Sequence, residues 1–181
     1  MMEKIIFIDR DGVINVDPIG DYIKRWADFR FEEGALEGMK ILSRHGYDII
    51  VISNQAGIGD GVYTLADLHD INENMIKVFE KEGIRFKAAY YCEHGKAAGC
   101  SCRKPEIGLF QRAVADVSYD PKTTFFIGDK ISDVLAGKKF GIRTIFVKTG
   151  HGKYEEKLLT KETMPDFICD SLKHAVETIV Q

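Results

Sequence analysis

The stretch IIFIDRDGVIN, residues 5–15, runs four apolar residues straight into Asp9 and Asp11, with Arg10 between them and Gly12 behind. A consecutive apolar run of this length reads as a strand covered on both faces. Two positions apart in an extended segment, Asp9 and Asp11 project to the same side of the chain. Gly12 lets the backbone turn away without a Cβ penalty. Both carboxyls can then face one reacting centre, a mutual repulsion that an ordinary loop has no reason to keep.

Working outward, short apolar runs alternate with helical patterns to the end of the chain. Residues 5–8, 49–52, 88–91, 125–127, 144–147 and, weakly, 167–169 read as strands. Helices are expected over 35–45, closed by Gly46, and over 64–82, opened by Thr64 with Asp67 and closed by Gly83. Others are expected over 107–115, over 132–140 closed by Gly141, and over 172–179. This alternation predicts an α/β, doubly wound, mostly parallel sheet with helices on both faces. One domain over 1–181 is expected, because the gaps 17–31 and 55–63 are too short for a separate cap domain. Such folds gather their chemistry at the carboxyl ends of strands. Four strand ends carry polar groups that can converge: Asp9 and Asp11; Ser53, Asn54 and Gln55; the segment 92–104; and Gly128, Asp129 and Lys130.

Composition narrows the partners. Of 181 residues, 45% are apolar and 29% charged, ordinary for a globular protein, and 25 basic against 28 acidic residues give a net charge of −3. No Lys/Arg stripe tracks a nucleic-acid backbone, so no nucleic-acid partner is expected. No apolar window approaches the ~18 residues of a membrane span, and no signal-peptide core precedes Asp9. A cytoplasmic protein is expected, and a monomer, since nothing reads as a dimerisation element.

A carboxylate can attack phosphorus and form an aspartyl-phosphate, and a neighbouring carboxyl can protonate the leaving alcohol and then deprotonate water. One carboxyl must then hold a proton near neutral pH while the other stays ionised, which a like charge and a bound cation together bring about. The pair therefore predicts Mg2+, with Asp129 as a further oxygen ligand. Asp133, a turn later, is expected to cap its helix, to join the metal shell or to orient Lys130. Ser53 and Lys104 suit the stabilisation of a phosphoryl group, and Arg103 suits a bidentate contact to a substrate anion. In the window 92–102, Cys92, His94, Cys100 and Cys102 form C-x-H-x5-C-x-C, a tetrahedral Zn2+ set with no position left open for water. A structural zinc loop is expected there.

The segments FIDRDGVIN, VISNQAG, CRKP and IGDKISD, in this order, resemble the haloacid dehalogenase superfamily of phosphatases. Their detailed forms resemble the branch that contains heptose bisphosphate phosphatases and histidinol-phosphate phosphatases. The resemblance covers residues 5 to about 150. It implies Asp9 as nucleophile and Asp11 as general acid/base, with Mg2+ held by Asp9, the main-chain carbonyl of Asp11, and Asp129. It further implies phosphoryl stabilisation by Ser53 and Lys104, and substrate contacts from Asp17, Pro18, Ile19, Gly20, Asn54, Gln55, Ala56, Arg103 and Lys130. The branch carries the same kind of zinc loop.

The implied substrate is a small sugar phosphate, best matched by a heptose bisphosphate losing its 7-phosphate. Histidinol phosphate is the same-class alternative, and a receiver-like phospho-acceptor module is a more distant one. The short spacing between His94 and Cys100 favours the histidinol-phosphate enzymes, whereas Asn15 and Gly128-Asp129-Lys130 favour the heptose enzymes. At Gly59-Asp60 the chain departs from the latter, which carry a basic residue there. Blander expectations cover the remainder: Arg10 without a chemical role, Cys169 as a core thiol, Trp26 as a packed aromatic, and His45, His69, His151 and His174 on the surface.

Overall fold

All four residues of β1 (Ile5–Ile8) are completely buried. Their side chains divide by parity: Ile6 and Ile8 enter one core cluster, Ile5 and Phe7 the other. A strand with apolar side chains on both faces needs cover on both, and the chain supplies it. The structure, a computed structural model, describes residues 2–115 and 117–181.

The other strands are β2 (Asp48–Asn54), β3 (Phe86–Cys92), β4 (Phe125–Gly128), β5 (Arg143–Val147) and β6 (Phe167–Cys169). They form one sheet in the order β3-β2-β1-β4-β5-β6, and every pairing is parallel. The chain winds outward from β1 through β2 to β3, then returns to β4 on β1's other side. Order therefore reverses between β1 and β4, the crevice where such sheets bind ligands. Asp9 and Asp129 follow directly on these two strands.

Among the helices, α1 (Ala35–Arg44), α3 (Leu65–Glu82) and α7 (Leu172–Val180) cover one face. Between α1 and α3 comes the one-turn α2 (Ala56–Gly59). The opposite face is covered by α4 (Gly108–Ala113) and α5 (Ile131–Phe140), and α6 (Gly152–Glu155) follows β5. The caps read from sequence are in place: Asp67 donates its backbone N–H to Thr64 Oγ1 at 3.2 Å, and Thr64 N donates to Asp67 Oδ2 at 2.7 Å. Helix α3 closes at Gly83, φ +69°, and α5 at Gly141, φ +86°.

Three expectations shift. Strands β2 and β3 each run past the apolar stretch, because the parallel ladder continues to the pair Asn54 and Cys92. Helix α4 is shorter than the expected 107–115: it opens only at Gly108, where a Cβ would fall 2.6 Å from Ser101 O, so the cysteine-rich loop packs on its first turn. Helices α2 and α6 are too short for periodicity to reveal. Cys169 is buried, as expected, and Trp26 stacks on Phe29 with ring centroids 4.8 Å apart rather than closing over a ligand. No helix among the described residues is long and apolar enough to cross a membrane.

Candidate active site

Asp9 leaves β1 while its N–H still completes the ladder to Ile127 O at 2.9 Å, so its backbone is fixed by the sheet. Its side chain is buried, with Oδ1 accepting the N–H of Arg10 at 2.7 Å and Oδ2 lying 2.9 Å from Lys104 Nζ. Lys104 is equally buried. Its ammonium also lies 2.7 Å from Asp133 Oδ1 and donates to Ile52 O at 3.0 Å. Burial pulls the Lys104 pKa down, but Asp133 and Asp9 outweigh it and hold the ammonium charged. Asn54 fixes the same residue from the main chain: its Oδ1 accepts Lys104 N at 3.0 Å and its Nδ2 donates to Lys104 O at 3.2 Å. Asp133 thus caps α5, accepting Lys130 N at 3.0 Å, and orients Lys104 rather than the Lys130 side chain.

Arg10 overturns the expectation that it has no role. It is the largest fully buried side chain among the described residues, and it grips Asp11 as a fork: Nε to Oδ1 at 3.1 Å, Nη2 to Oδ1 at 2.9 Å and to Oδ2 at 3.0 Å. Nη2 also donates to Gln55 Oε1 at 3.1 Å, and Gln55 Nε2 donates to Asp11 Oδ2 at 2.7 Å. Tyr63 Oη donates to the same Gln55 oxygen. Asn15 Nδ2 adds a bond to Asp11 Oδ1 at 3.0 Å. Burial would raise the Asp11 pKa, but the Arg10 charge and the Asn15, Gln55 and Arg10 hydrogen bonds outweigh it and hold Asp11 ionised, below the usual carboxylate range. Within this cluster the raised carboxyls are Asp129 and Asp133, pushed up first by burial. The sequence expectation placed the proton through repulsion between neighbours in sequence and could not see a buried arginine beside one of them.

This network also reassigns Gln55: expected to touch a substrate, it is 1% exposed and faces Asp11 and Ser53 instead, while Asn15, the residue that favours the heptose enzymes, is fully buried against Asp11.

Asp9, Asp129 and Asp133 each bring one carboxylate oxygen within 4.8 Å of the others. Asp129 is completely buried; its Oδ2 accepts His151 N at 2.7 Å, while its Oδ1 has no hydrogen-bond partner. A buried carboxylate oxygen without a partner is costly unless a cation meets it, so the set fits a hard divalent ion. Two glycines crowd this carboxylate: a Cβ would fall 2.2 Å from Asp129 Oδ2 at Gly12, φ +87°, and 2.4 Å from it at Gly150.

A cavity of about 470 Å3 opens over these groups, lined by Asp9, Asp11, Ser53, Lys104 and Asp133 at its base. Of the expected substrate contacts, Asp17, Gly20, Asn54, Ala56, Arg103 and Lys130 line it; Pro18 and Ile19 do not, and Ile19 is half exposed on the outside of its turn. Asp17 lies 3.2 Å from both Lys130 Nζ and His151 Nε2. The sequence reading missed His151, Tyr22, Lys96 and Glu155 in the lining. His151 looked like a surface residue because nothing local marks the turn after β5 as returning to Asp129.

Beside the cavity, the four residues of the cysteine window converge. Cys92 Sγ lies 3.2 Å from Cys102 Sγ and 3.6 Å from Cys100 Sγ, and His94 Nδ1 lies 3.1 Å from Cys102 Sγ. A tetrahedral ion with bonds near 2.3 Å separates its ligands by roughly 3.7 Å, so these donors need only a slight expansion to receive Zn2+. Arg103 and Lys104 follow the last ligand directly.

Residues 101–175 match the HAD-hydrolase-like family. The chain is 36% identical over 156 residues to the D-glycero-beta-D-manno-heptose-1,7-bisphosphate 7-phosphatase of Pasteurella multocida, 82% of this chain and 84% of that one. It is likewise 36% identical over 147 residues to the D-glycero-alpha-D-manno-heptose-1,7-bisphosphate 7-phosphatase of Campylobacter jejuni, 81% and 83% of the two chains. Among solved structures, D,D-heptose 1,7-bisphosphate phosphatase from B. bronchiseptica, complexed with magnesium and phosphate, superposes with a TM-score of 0.91 at 27% identity, covering 98% of each chain. With the four motifs at the ends of β1, β2 and β4 and in the loop after β3, the chain belongs to the haloacid dehalogenase superfamily of phosphatases, in the branch of the heptose bisphosphate 7-phosphatases.

Proposed function

We propose that this protein removes the 7-phosphate of D-glycero-D-manno-heptose 1,7-bisphosphate through an aspartyl-phosphate on Asp9, with Mg2+ as cofactor. The observation that carries this reading is the buried Asp9 at the switch point, ion-paired to a buried Lys104 and grouped with a carboxylate oxygen of Asp129 that has no other partner. Relatives named for the same substrate support it.

Asp9 attacks phosphorus; the P–O bond to the sugar breaks, and the leaving oxygen takes a proton from Asp11. Water then attacks the aspartyl-phosphate, gives its proton to Asp11, and the P–Oδ bond breaks to release inorganic phosphate and restore Asp9. Asp9, Asp129 and the Asp11 carbonyl would hold Mg2+, which neutralises charge on the transferring group. Lys104 and Ser53 meet the equatorial oxygens, and Lys104 arrives pre-oriented by Asp133, Ile52 O and Asn54. The ionised Asp11 in Arg10's fork is in the form that receives the proton from water. For the first step its carboxyl must be protonated, which weakens the fork. Zn2+ in the cysteine window would fix the loop that carries Arg103 and Lys104.

The test compares kcat/KM for both anomers of the heptose bisphosphate and for histidinol phosphate, with and without chelator, in the wild type and in Asp9→Asn. Chelator-sensitive turnover of the bisphosphate that Asp9→Asn abolishes is expected. Faster turnover of histidinol phosphate, or an active Asp9→Asn protein, overturns the reading.

A further inference from the structure

Among the described residues, every side-chain hydrogen bond to the Asp11 carboxylate comes from a nitrogen that can only donate: Arg10 Nε and Nη2, Asn15 Nδ2 and Gln55 Nε2. For the arginine this is unavoidable. A side-chain amide carries donors at one end and an acceptor at the other, so its remaining partners decide which end faces Asp11. Asn15 is fixed because its Nδ2 also donates to Val16 O at 3.0 Å. Gln55 is fixed from its far end, where Oε1 accepts from Arg10 Nη2 and from Tyr63 Oη. Arg10 Nη2 divides itself among both oxygens of Asp11 and Gln55, which leaves Tyr63 as the undivided donor.

Tyr63 is seated for this task. After Gln55 and the single turn of α2 the chain comes back on itself, with Val62 N donating to Gly57 O at 2.7 Å. A Cβ on Gly57 would fall 2.4 Å from the Tyr63 ring, so the ring lies directly on that turn. Tyr63 is 6% exposed, and burial pushes its phenol far above the ordinary tyrosine range, so the hydroxyl keeps the proton that it donates.

The orientation of Gln55 matters most when Asp11 is protonated. A glutamine free to turn would then offer Oε1 to the acid and capture its proton in a hydrogen bond. With Nε2 held toward Asp11, the acid meets only donors on the protein side, and its proton is left to point into the cavity that Asp11 lines. Gln55 Nε2 also donates to Ser53 Oγ at 3.2 Å, which leaves the Ser53 hydroxyl proton for a phosphoryl oxygen.

We propose that Tyr63 is a positioning residue for the acid step: by holding the acceptor end of Gln55 it keeps Asp11 among donors alone and directs the acid proton to the oxygen that leaves phosphorus. As the P–O bond breaks, that oxygen takes the bonding pair and the proton, and Asp11 returns to its ionised form. This rests on Asp9 as nucleophile and Asp11 as acid, and adds a residue that lies outside the cavity lining.

The experiment compares kcat/KM for heptose 1,7-bisphosphate and for p-nitrophenyl phosphate, whose phenolate leaves without a proton. Wild type, Tyr63→Phe, Gln55→Met and the double variant are measured, with fructose 1,6-bisphosphate as a second alkyl substrate. In Tyr63→Phe the alkyl-to-aryl ratio falls about fivefold or more, through kcat with KM held, as expected for one hydrogen bond felt in the transition state. In the Gln55→Met background the same substitution changes the ratio by less than about twofold. Tyr63→Phe keeps the ring on Gly57, so it decides the matter even where Gln55→Met fails to fold. A ratio unchanged by Tyr63→Phe overturns the proposal. So does an equal loss on alkyl and aryl substrates, which marks damage to packing, and so does a full Tyr63→Phe effect without the Gln55 amide. A ratio that falls on fructose 1,6-bisphosphate with no heptose turnover keeps the positioning role and sinks the heptose reading instead.

Discussion

Replacing Arg10 by methionine keeps most of the buried volume and removes the fork that holds Asp11. Removing one partner of a buried ion pair costs roughly 3–5 kcal/mol. Asp11 keeps its donors from Asn15 and Gln55, and its side chain borders the cavity at 18% exposure, so the lower end, about 3 kcal/mol, applies. For a chain of this size that lowers Tm by roughly 6–12 °C. The sign of the pH dependence follows from the depressed Asp11 pKa. Arg10 and its neighbours stabilise the folded protein at pH values above the ordinary carboxylate range, and that contribution is lost as the pH falls through the lower folded value. In the variant the stranded carboxyl takes up a proton more readily, so the stability gap is widest near about pH 7.5 and narrows toward about pH 4.5. Since Asp11 also loses its position, kcat falls by roughly 10²-fold, the scale of general acid/base catalysis, while KM moves little. Urea denaturation at the two pH values and steady-state kinetics check both halves. A variant within about 1 kcal/mol of wild type at neutral pH, with kcat within a factor of about three, refutes the role assigned to Arg10, because such losses are ordinary for any buried substitution.

Three further perturbations follow from the same geometry. Asp133→Ala removes the α5 cap and one of the Lys104 anchors; a stability loss of about 1 kcal/mol by urea denaturation accompanies a much larger fall in kcat. Gly12→Ala meets Asp129 and an unfavourable φ of +87°, costing about 1–2 kcal/mol and raising the Mg2+ concentration for half-maximal activity, read by titration of chelated enzyme. Cys102→Ser weakens the tetrahedral set, so elemental analysis should show zinc below one equivalent, Tm should drop, and KM should rise because Arg103 and Lys104 lose their tether.

How much of this was legible in the sequence depends on how far each signal reaches. The sheet was readable because consecutive apolar runs at residues 5–8 and 125–127 leave no polar face, and the ends of α3 and α5 were marked by Thr64, Asp67, Gly83 and Gly141. Asp9, Asp129 and Lys104 were readable because each follows a strand or a metal ligand in a dense motif. What stayed hidden were contacts between residues distant in sequence or pointing inward. Arg10 points inward and is fully buried, so its grip on the neighbouring Asp11 and its bond to Gln55, 45 positions later, leave no mark in the local pattern. His151 meets Asp129 only because β5 lies beside β4. Gln55 carried the right residue type, but sequence could not tell an amide that faces a ligand from one that faces Asp11.

The measurement closest to the central claim is the location of the phosphoryl group on the enzyme. Asp11→Asn protein, with Mg2+ present, is mixed with phosphorylated substrate, quenched in acid, reduced with borohydride and digested, and the modified peptide is identified by mass spectrometry. The account predicts modification at Asp9, in the peptide that covers the end of β1, and none in a control that also carries Asp9→Asn. Phosphoryl label at another residue, or hydrolysis that proceeds in the Asp9→Asn protein with no covalent species, contradicts it.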